Sequence, residues 1–183
     1  LAAARPAGDG VVLGVPPGWK DESVHRAGVP AADANVEGAP TRSGSVRRGL
    51  AAVPDEADVV VVHDAARPLA TPRLFAAAVQ AVLSGADGAV CAVPVGDTVT
   101  RVEGATVVET VDRSGLWAVQ TPQAFRAPAL RLAHEGEPEA TDDSSLVQAG
   151  GGRVVVVAGD IRNLKLTRGE DLAVAEALLV TLG

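Results

Sequence analysis

At 183 residues and 18.4 kDa the chain is long enough for one domain with a real core and short for two independent ones. With 47% hydrophobic residues, 21% charged and a net charge of −7, the composition excludes disorder. It also argues against a nucleic-acid binder working through a broad basic face, and leaves a small anionic substrate open. The aromatic residues are Trp19, Phe75, Trp117 and Phe125, so the core must be Val, Leu and Ala, and the single Cys91 excludes a disulfide framework.

The chain has no Met and opens on Leu1-Ala2-Ala3-Ala4-Arg5, which reads as the end of a helix, so a segment ahead of Leu1 is expected. Strands are predicted over Val11 to Val15, Ala34 to Val36, Asp58 to Val62, Ala89 to Val95 and Arg153 to Val157. Between and after them, helices are predicted over Ser43 to Ala52, Pro72 to Ser84, Pro128 to Glu135, Asp142 to Ala149 and Arg168 to Leu182. Start signals support three of these: Thr71 before Pro72, Thr141 before Asp142 and Asp143, and Thr167 with Glu170 as a capping box. The alternation predicts an α/β fold with a largely parallel sheet, and runs such as Val59 to Val62 suit strands covered on both faces. From Val95 to Phe125 the texture changes. Thr98 to Val102 and Val107 to Val111 flank Glu103-Gly104-Ala105 and read as a hairpin projecting from the sheet, within an arm set at 96–123 that calls for a partner surface. No apolar run approaches the roughly 18–20 residues that cross a bilayer, and no leader opens the chain, which predicts a soluble, cytoplasmic protein without membrane contact.

Four segments carry candidate chemistry. In Val59 to Pro68, VVVVHDAARP, Asp64 and Arg67 fall where a strand gives out, the place where open α/β sheets bind ligands, although Asp64 also suits an Asx-turn and Arg67 a solvated charge. Gly38 to Leu50, GAPTRSGSVRRGL, sets Thr41, Ser43 and Ser45 around a Gly-started turn, which suits a nucleotide's polar edges or an anion and equally suits a cap; it is not a P-loop. Val111 to Phe125 combines Arg113 with Thr121-Pro122 at an expected turn, the donors of phosphate capture, or simply a surface pair of Arg113 with Asp112. Asn163 to Leu179 places Lys165 just before a helix; with only Lys20 beside it among 16 basic residues, Lys165 carries more weight than an ordinary surface Lys. Thr141-Asp142-Asp143 reads as capping alone. His25, His63 and His134 lack metal-pair spacing, and no Ser-His-Asp or Cys-His set can be built, so covalent catalysis is not expected.

Read in order, TRSGSVRRGL, VVVVHDAARP, DTVTRV with TVDRSGLWAVQTPQAF, and TDDSSL with NLKLTRGEDLAVAEALL resemble the 2-C-methyl-D-erythritol 4-phosphate cytidylyltransferase family of the non-mevalonate isoprenoid pathway. The resemblance implies a Rossmann-like nucleotidyltransferase three-layer sandwich. It implies transfer of a cytidylyl group from CTP to methylerythritol phosphate with release of pyrophosphate, Mg²⁺ being bound mainly through the CTP phosphates. Carried onto this sequence, Gly38 and Ser45 would contact the nucleotide, and Asp64 would lie between the nucleotide and the acceptor's hydroxyls. Arg67 would hold the acceptor, Thr98, Arg113 and Thr121 would clasp its phosphate, and Arg113 with Lys165 would be the catalytic positioning pair. The arm would make a homodimer part of the site. Members usually have two glycines where Gly38-Ala39 stands, an Asp where Gly44 stands and a basic residue near Thr100. They also open on a strand and a turn of the type AAGxGxR with a Lys after it. Leu1 to Val15 matches the helix and strand that come after that element, so the expectation is a single domain, N-terminally incomplete, and little or no activity in the chain as given. Cytidylylation of another polyol phosphate, such as ribitol 5-phosphate, and a truncated homologue that only binds are the alternative readings.

Overall fold

The computed structural model describes residues 2–19 and 32–182; Lys20 and His25 lie outside them. After a 3-10 turn at Arg5–Ala7, strand β1 (Val12–Val15) pairs in parallel with β2 (Ala34–Glu37), Val12 opposite Ala34 and Val15 opposite Glu37. A second sheet holds four strands in the order β3 (Val59–Val62), β7 (Trp117–Arg126), β4 (Gly88–Pro94), β8 (Val154–Ala158). Strands β4 and β8 are parallel, and β7 runs antiparallel to both β3 and β4. Three of the four strands therefore point the same way and deliver their carboxyl ends to one rim. The expected largely parallel sheet is thus a mixed one, with one reversed strand at its heart.

That reversed strand falls where the sequence suggested an arm and a turn. The hairpin is confined to β5 (Val99–Glu103) and β6 (Thr106–Val111), joined through Gly104 at φ +60°, and the rest of the 96–123 span returns to the main sheet from Trp117 onward. WAVQTPQAFR hides its strand character because it has no run of β-branched residues and carries a proline, which cannot donate to a ladder. The ladder accommodates it by a register shift: Val90 pairs with Gln123 and Cys91 with Gln120, which leaves Thr121 and Pro122, joined by a cis peptide bond, outside the pairing. The hairpin projects as expected, its strands exposed almost throughout and showing Val102, Val107 and Val108 to solvent.

The helices are α1 (Arg42–Ala51), α2 (Pro72–Leu83), α3 (Ala127–Ala133), α4 (Asp143–Ala149) and α5 (Glu170–Leu182). The period-2 alternation of the strands divides the core into two. On one face Leu74, Phe75, Ala78 and Val82 of α2 pack on Ala89, Cys91 and Ala124, with Val59, Val61, Val155 and Val157 beside them. On the other, Leu50 of α1, Leu130 of α3 and Val147 of α4 pack on Phe125, with Val60, Val62 and Val154. Helix layers thus cover both faces of the four-stranded sheet, giving the expected three layers. Phe125 and Leu130 are fully buried, and each contributes roughly 1.5–3 kcal/mol from burial.

The caps match in part. Thr41 accepts the Gly44 N–H at the start of α1, and Asp142, one residue after the expected Thr141, accepts from Ser144 at the start of α4. At α5 it is Asp171, not Glu170, that reaches back to the N–H groups of Thr167 and Arg168. Thr71 makes no side-chain cap, and Pro72 alone marks the start of α2. No helix among the described residues is long and apolar enough to cross a membrane.

Candidate active site

The site grows from the rim where β3 and β8 end. Past β3 the chain turns through His63, Asp64 and Arg67, and the Arg67 N–H donates to the Asp64 carbonyl, closing the turn. Past β8, residues 159–167 lie against that turn. Arg67 Nη1 donates to the Asn163 carbonyl at 2.7 Å, and Leu166 N–H to the Ala66 carbonyl at 2.7 Å. Fully buried Asn163 donates from Nδ2 to the Thr121 carbonyl at 2.8 Å, and Gln120 exchanges hydrogen bonds with the backbone of Asp160. These bonds bring together two segments far apart in sequence, so that the Lys165 ammonium sits 2.9 Å from an oxygen of Asp64.

Burial pushes the Asp64 carboxyl up, but the hydrogen bond and charge of Lys165, with the charges of Arg42 and Arg67, outweigh it and hold the group below its ordinary value. Asp64 is therefore an anion with cations on both oxygens: Lys165 on one, and Arg42 Nε at 3.6 Å from the other. Burial pulls His63 down. Its neutral ring fits its neighbours: Nε2 faces the Arg67 carbonyl at 3.2 Å and Nδ1 faces the Thr121 hydroxyl at 3.0 Å. The same hydroxyl accepts the Asp64 N–H at 3.0 Å. Buried Thr121, expected on the acceptor's phosphate, thus spends its oxygen on locating Asp64 and His63, because the register shift turns it inward from the ladder.

Arg67 is also engaged internally: besides Asn163, its Nη2 lies 3.4 Å from the Val119 carbonyl, and burial lowers its pKa. At the nucleotide segment, Gly38 N–H donates to the Val15 carbonyl, and Ser45 Oγ accepts the Ala39 N–H at 2.9 Å while also reaching the Thr41 carbonyl. Ser45 closes the turn that shapes this loop, and a Cβ on Gly38 would lie 3.3 Å from Val15 O and 3.4 Å from Ser45 Oγ, a close fit. Thr98 and Arg113 lie elsewhere. Val99 pairs with Val111, so both stand at the base of the hairpin, exposed, with Arg113 Nη1 on the carbonyls of Val95 and Gly96. Within one chain Arg113 does not join Lys165.

Two participants escaped the sequence reading. Asp143 is more than a cap: fully buried, it meets Arg42 Nη1 at 2.8 Å and His134 Nε2 at 3.0 Å. Burial lowers and Asp143 raises the pKa of Arg42, with a net rise. The available signals were weak, an Arg directly after an N-cap and a second acid in the first turn of α4. Among the described residues no group of three or more His, Cys, Asp and Glu side chains converges as a metal would need, and Asp64 already carries two cations. These side chains do not by themselves build a Mg²⁺ site.

The mixed sheet between two helix layers has the nucleotidyltransferase fold of its solved relatives, with Asp64 held between Lys165 and Arg42 at the strand ends. Comparison with known proteins is specific. The family model described as IspD, 2-C-methyl-D-erythritol 4-phosphate cytidylyltransferase, matches residues 4–181, and the chain belongs to that family. The 2-C-methyl-D-erythritol 4-phosphate cytidylyltransferase of Deinococcus radiodurans is 45% identical over 182 residues, covering 97% of this chain and 75% of the relative. That of Rubrobacter xylanophilus is 48% identical over 144 residues, 76% of this chain and 62% of the relative, so the chain spans less than two thirds of that protein. The crystal structure of the Thermus thermophilus 2-C-methyl-D-erythritol 4-phosphate cytidylyltransferase superposes with a TM-score of 0.84 at 36% identity, over 97% of this chain and 85% of the other.

Proposed function

We propose that the protein transfers a cytidylyl group from CTP to 2-C-methyl-D-erythritol 4-phosphate. A phosphate oxygen of the acceptor attacks the α-phosphorus of CTP; the new O–P bond forms as the bond to the β-phosphate oxygen breaks, and pyrophosphate leaves with the electron pair. No proton needs to move and no enzyme nucleophile is required, so the protein's task is to align two anions and offset their charge. Mg²⁺ enters as the metal complex of CTP.

The observation that carries this reading is the ion pair of Lys165 with Asp64 on a chain of this family. In the free protein Asp64 occupies the ammonium that a phosphate would take. An incoming phosphate exchanges with it, leaving the carboxylate to meet hydroxyls of the ribose or the polyol. The Gly38 to Ser45 turn offers its backbone to the nucleotide. Exposed Thr98 and Arg113 at the base of the hairpin suit an acceptor phosphate in the site of a second copy, with the exposed valines of the hairpin, Val102, Val107 and Val108, available to that copy. This arrangement calls for a homodimer, and light scattering of the protein tests it.

The test is pyrophosphate release by the full-length protein with CTP and methylerythritol phosphate, run beside ribitol 5-phosphate at matched concentration. Preference for ribitol 5-phosphate would reassign the acceptor. Lys165→Ala and Arg113→Ala should each lower kcat/KM at least about a hundredfold. Stability should change by less than about 1 kcal/mol, as both side chains are solvent-accessible. Unchanged turnover in either variant overturns its role.

A further inference from the structure

Arg42 occupies the first turn of α1, where the positive end of the helix favours an acid rather than a guanidinium. The helix itself gives no reason for a cation there, and anchoring the helix does not need one. Thr41 and Arg47 already bind Glu139, Ser43 exchanges hydrogen bonds with the backbone of Ala140, and Arg47 reaches the Pro138 carbonyl. What Arg42 does instead is face two carboxylates at once, Asp143 through Nη1 at 2.8 Å and Asp64 through Nε at 3.6 Å. The order His134, Asp143, Arg42, Asp64, Lys165 is an unbroken line of side chains drawn from five separate segments. Its buried end, His134 with Asp143, is enclosed, and its outer end, Lys165, is nearly half exposed.

A carboxylate with one partner is free to rotate about it, whereas one with a cation on each oxygen has its plane set. Asp143 is rigid by burial and oriented by His134, so the guanidinium it grips transmits that rigidity to Asp64. We propose that Arg42 is a positioning residue: bridging Asp143 to Asp64, it fixes the Asp64 carboxylate and through it the Lys165 ammonium. This rests on the cytidylyl-transfer reading of the site only for its consequence on rate; the bridge itself is a property of the free protein.

The groups facing Asp64 are Lys165, Arg42, Arg67 and His63, and Asp143 and Asp142 act on it through Arg42. The experiment follows the Asp64 carboxyl carbon by NMR through an acid titration of the free protein, beside kcat and KM for CTP and methylerythritol phosphate. Arg42→Gln should raise the Asp64 midpoint and lower kcat by about tenfold or more, with KM little changed. Arg42→Lys keeps the charge but cannot fork to two carboxylates, so it should return the midpoint toward that of the parent and recover only part of kcat. Arg47→Gln, which loosens the same helix end at Glu139, should leave midpoint and kcat unchanged. A folded Arg42→Gln protein with the parent's midpoint and kcat overturns the proposal, as does a loss matched by Arg47→Gln. If Arg42→Gln does not fold, Arg42→Lys decides, and an undiminished kcat overturns it. Turnover is read in the full-length protein: if that parent releases no pyrophosphate, the functional reading fails, while the Asp64 midpoints still accept or reject the bridge.

Discussion

Replacing Asp143 by Ala is expected to be the most damaging single change near the site. The carboxylate is fully buried and meets Arg42 and His134, whose ring is itself buried. Among the described residues His134 Nδ1 has no hydrogen-bond partner, so losing Asp143 leaves neither ring nitrogen bonded. Breaking a buried pair by removing one partner costs about 3–5 kcal/mol. The side chain of Arg42 is 28% exposed and can recover some hydration, which points to the lower half of that range. For a chain of this length about 3–4 kcal/mol corresponds to a fall in Tm of roughly 6–16 °C. Asp143→Asn keeps the volume and a polar contact to His134 and should lose less than the Ala variant. Urea unfolding followed by circular dichroism measures both, with the slope of free energy against urea unchanged if the transition stays two-state. An Asp143→Ala protein within about 1 kcal/mol of the parent would refute the buried-pair argument.

Packing sets two further outcomes. Gly159 links β8 to the segment that presents Lys165, and a Cβ there would lie 2.6 Å from Gln120 Oε1 and 2.9 Å from the Ala92 carbonyl. Gly159→Ala should therefore destabilise by about 1–3 kcal/mol in urea unfolding, and a smaller change would contradict the close approach of Gly159 to the Ala92 backbone. Burial pushes the Cys91 thiol up to about 11, with Sγ directed at the Leu74 carbonyl. An aromatic disulfide reagent at pH 8 should leave Cys91 unmodified in the folded protein and label it at once in denaturant; rapid native labelling would contradict the packing of α2 on β4.

The composition and local pattern determined the α/β class, five strands to within a residue or two, the projecting hairpin and the place of Asp64 just past the end of a strand. These rest on short-range physics: β-branched runs, Pro at helix starts and a turn at the end of a strand. Only the tertiary structure decided the rest. WAVQTPQAFR becomes a central strand because neighbours on both sides complete its ladder and a register shift sets Thr121-Pro122 outside it. That shift turns the Thr121 hydroxyl onto Asp64 and His63, whereas the sequence offered a turn and a phosphate donor. Asp143 and its neighbour Asp142 look alike in sequence; one is buried against Arg42 and the other caps a helix, because burial is conferred by the segments that fold over it. The meeting of Lys165 with Asp64 likewise depends on backbone hydrogen bonds between loops far apart in sequence, long-range closures that leave no local trace.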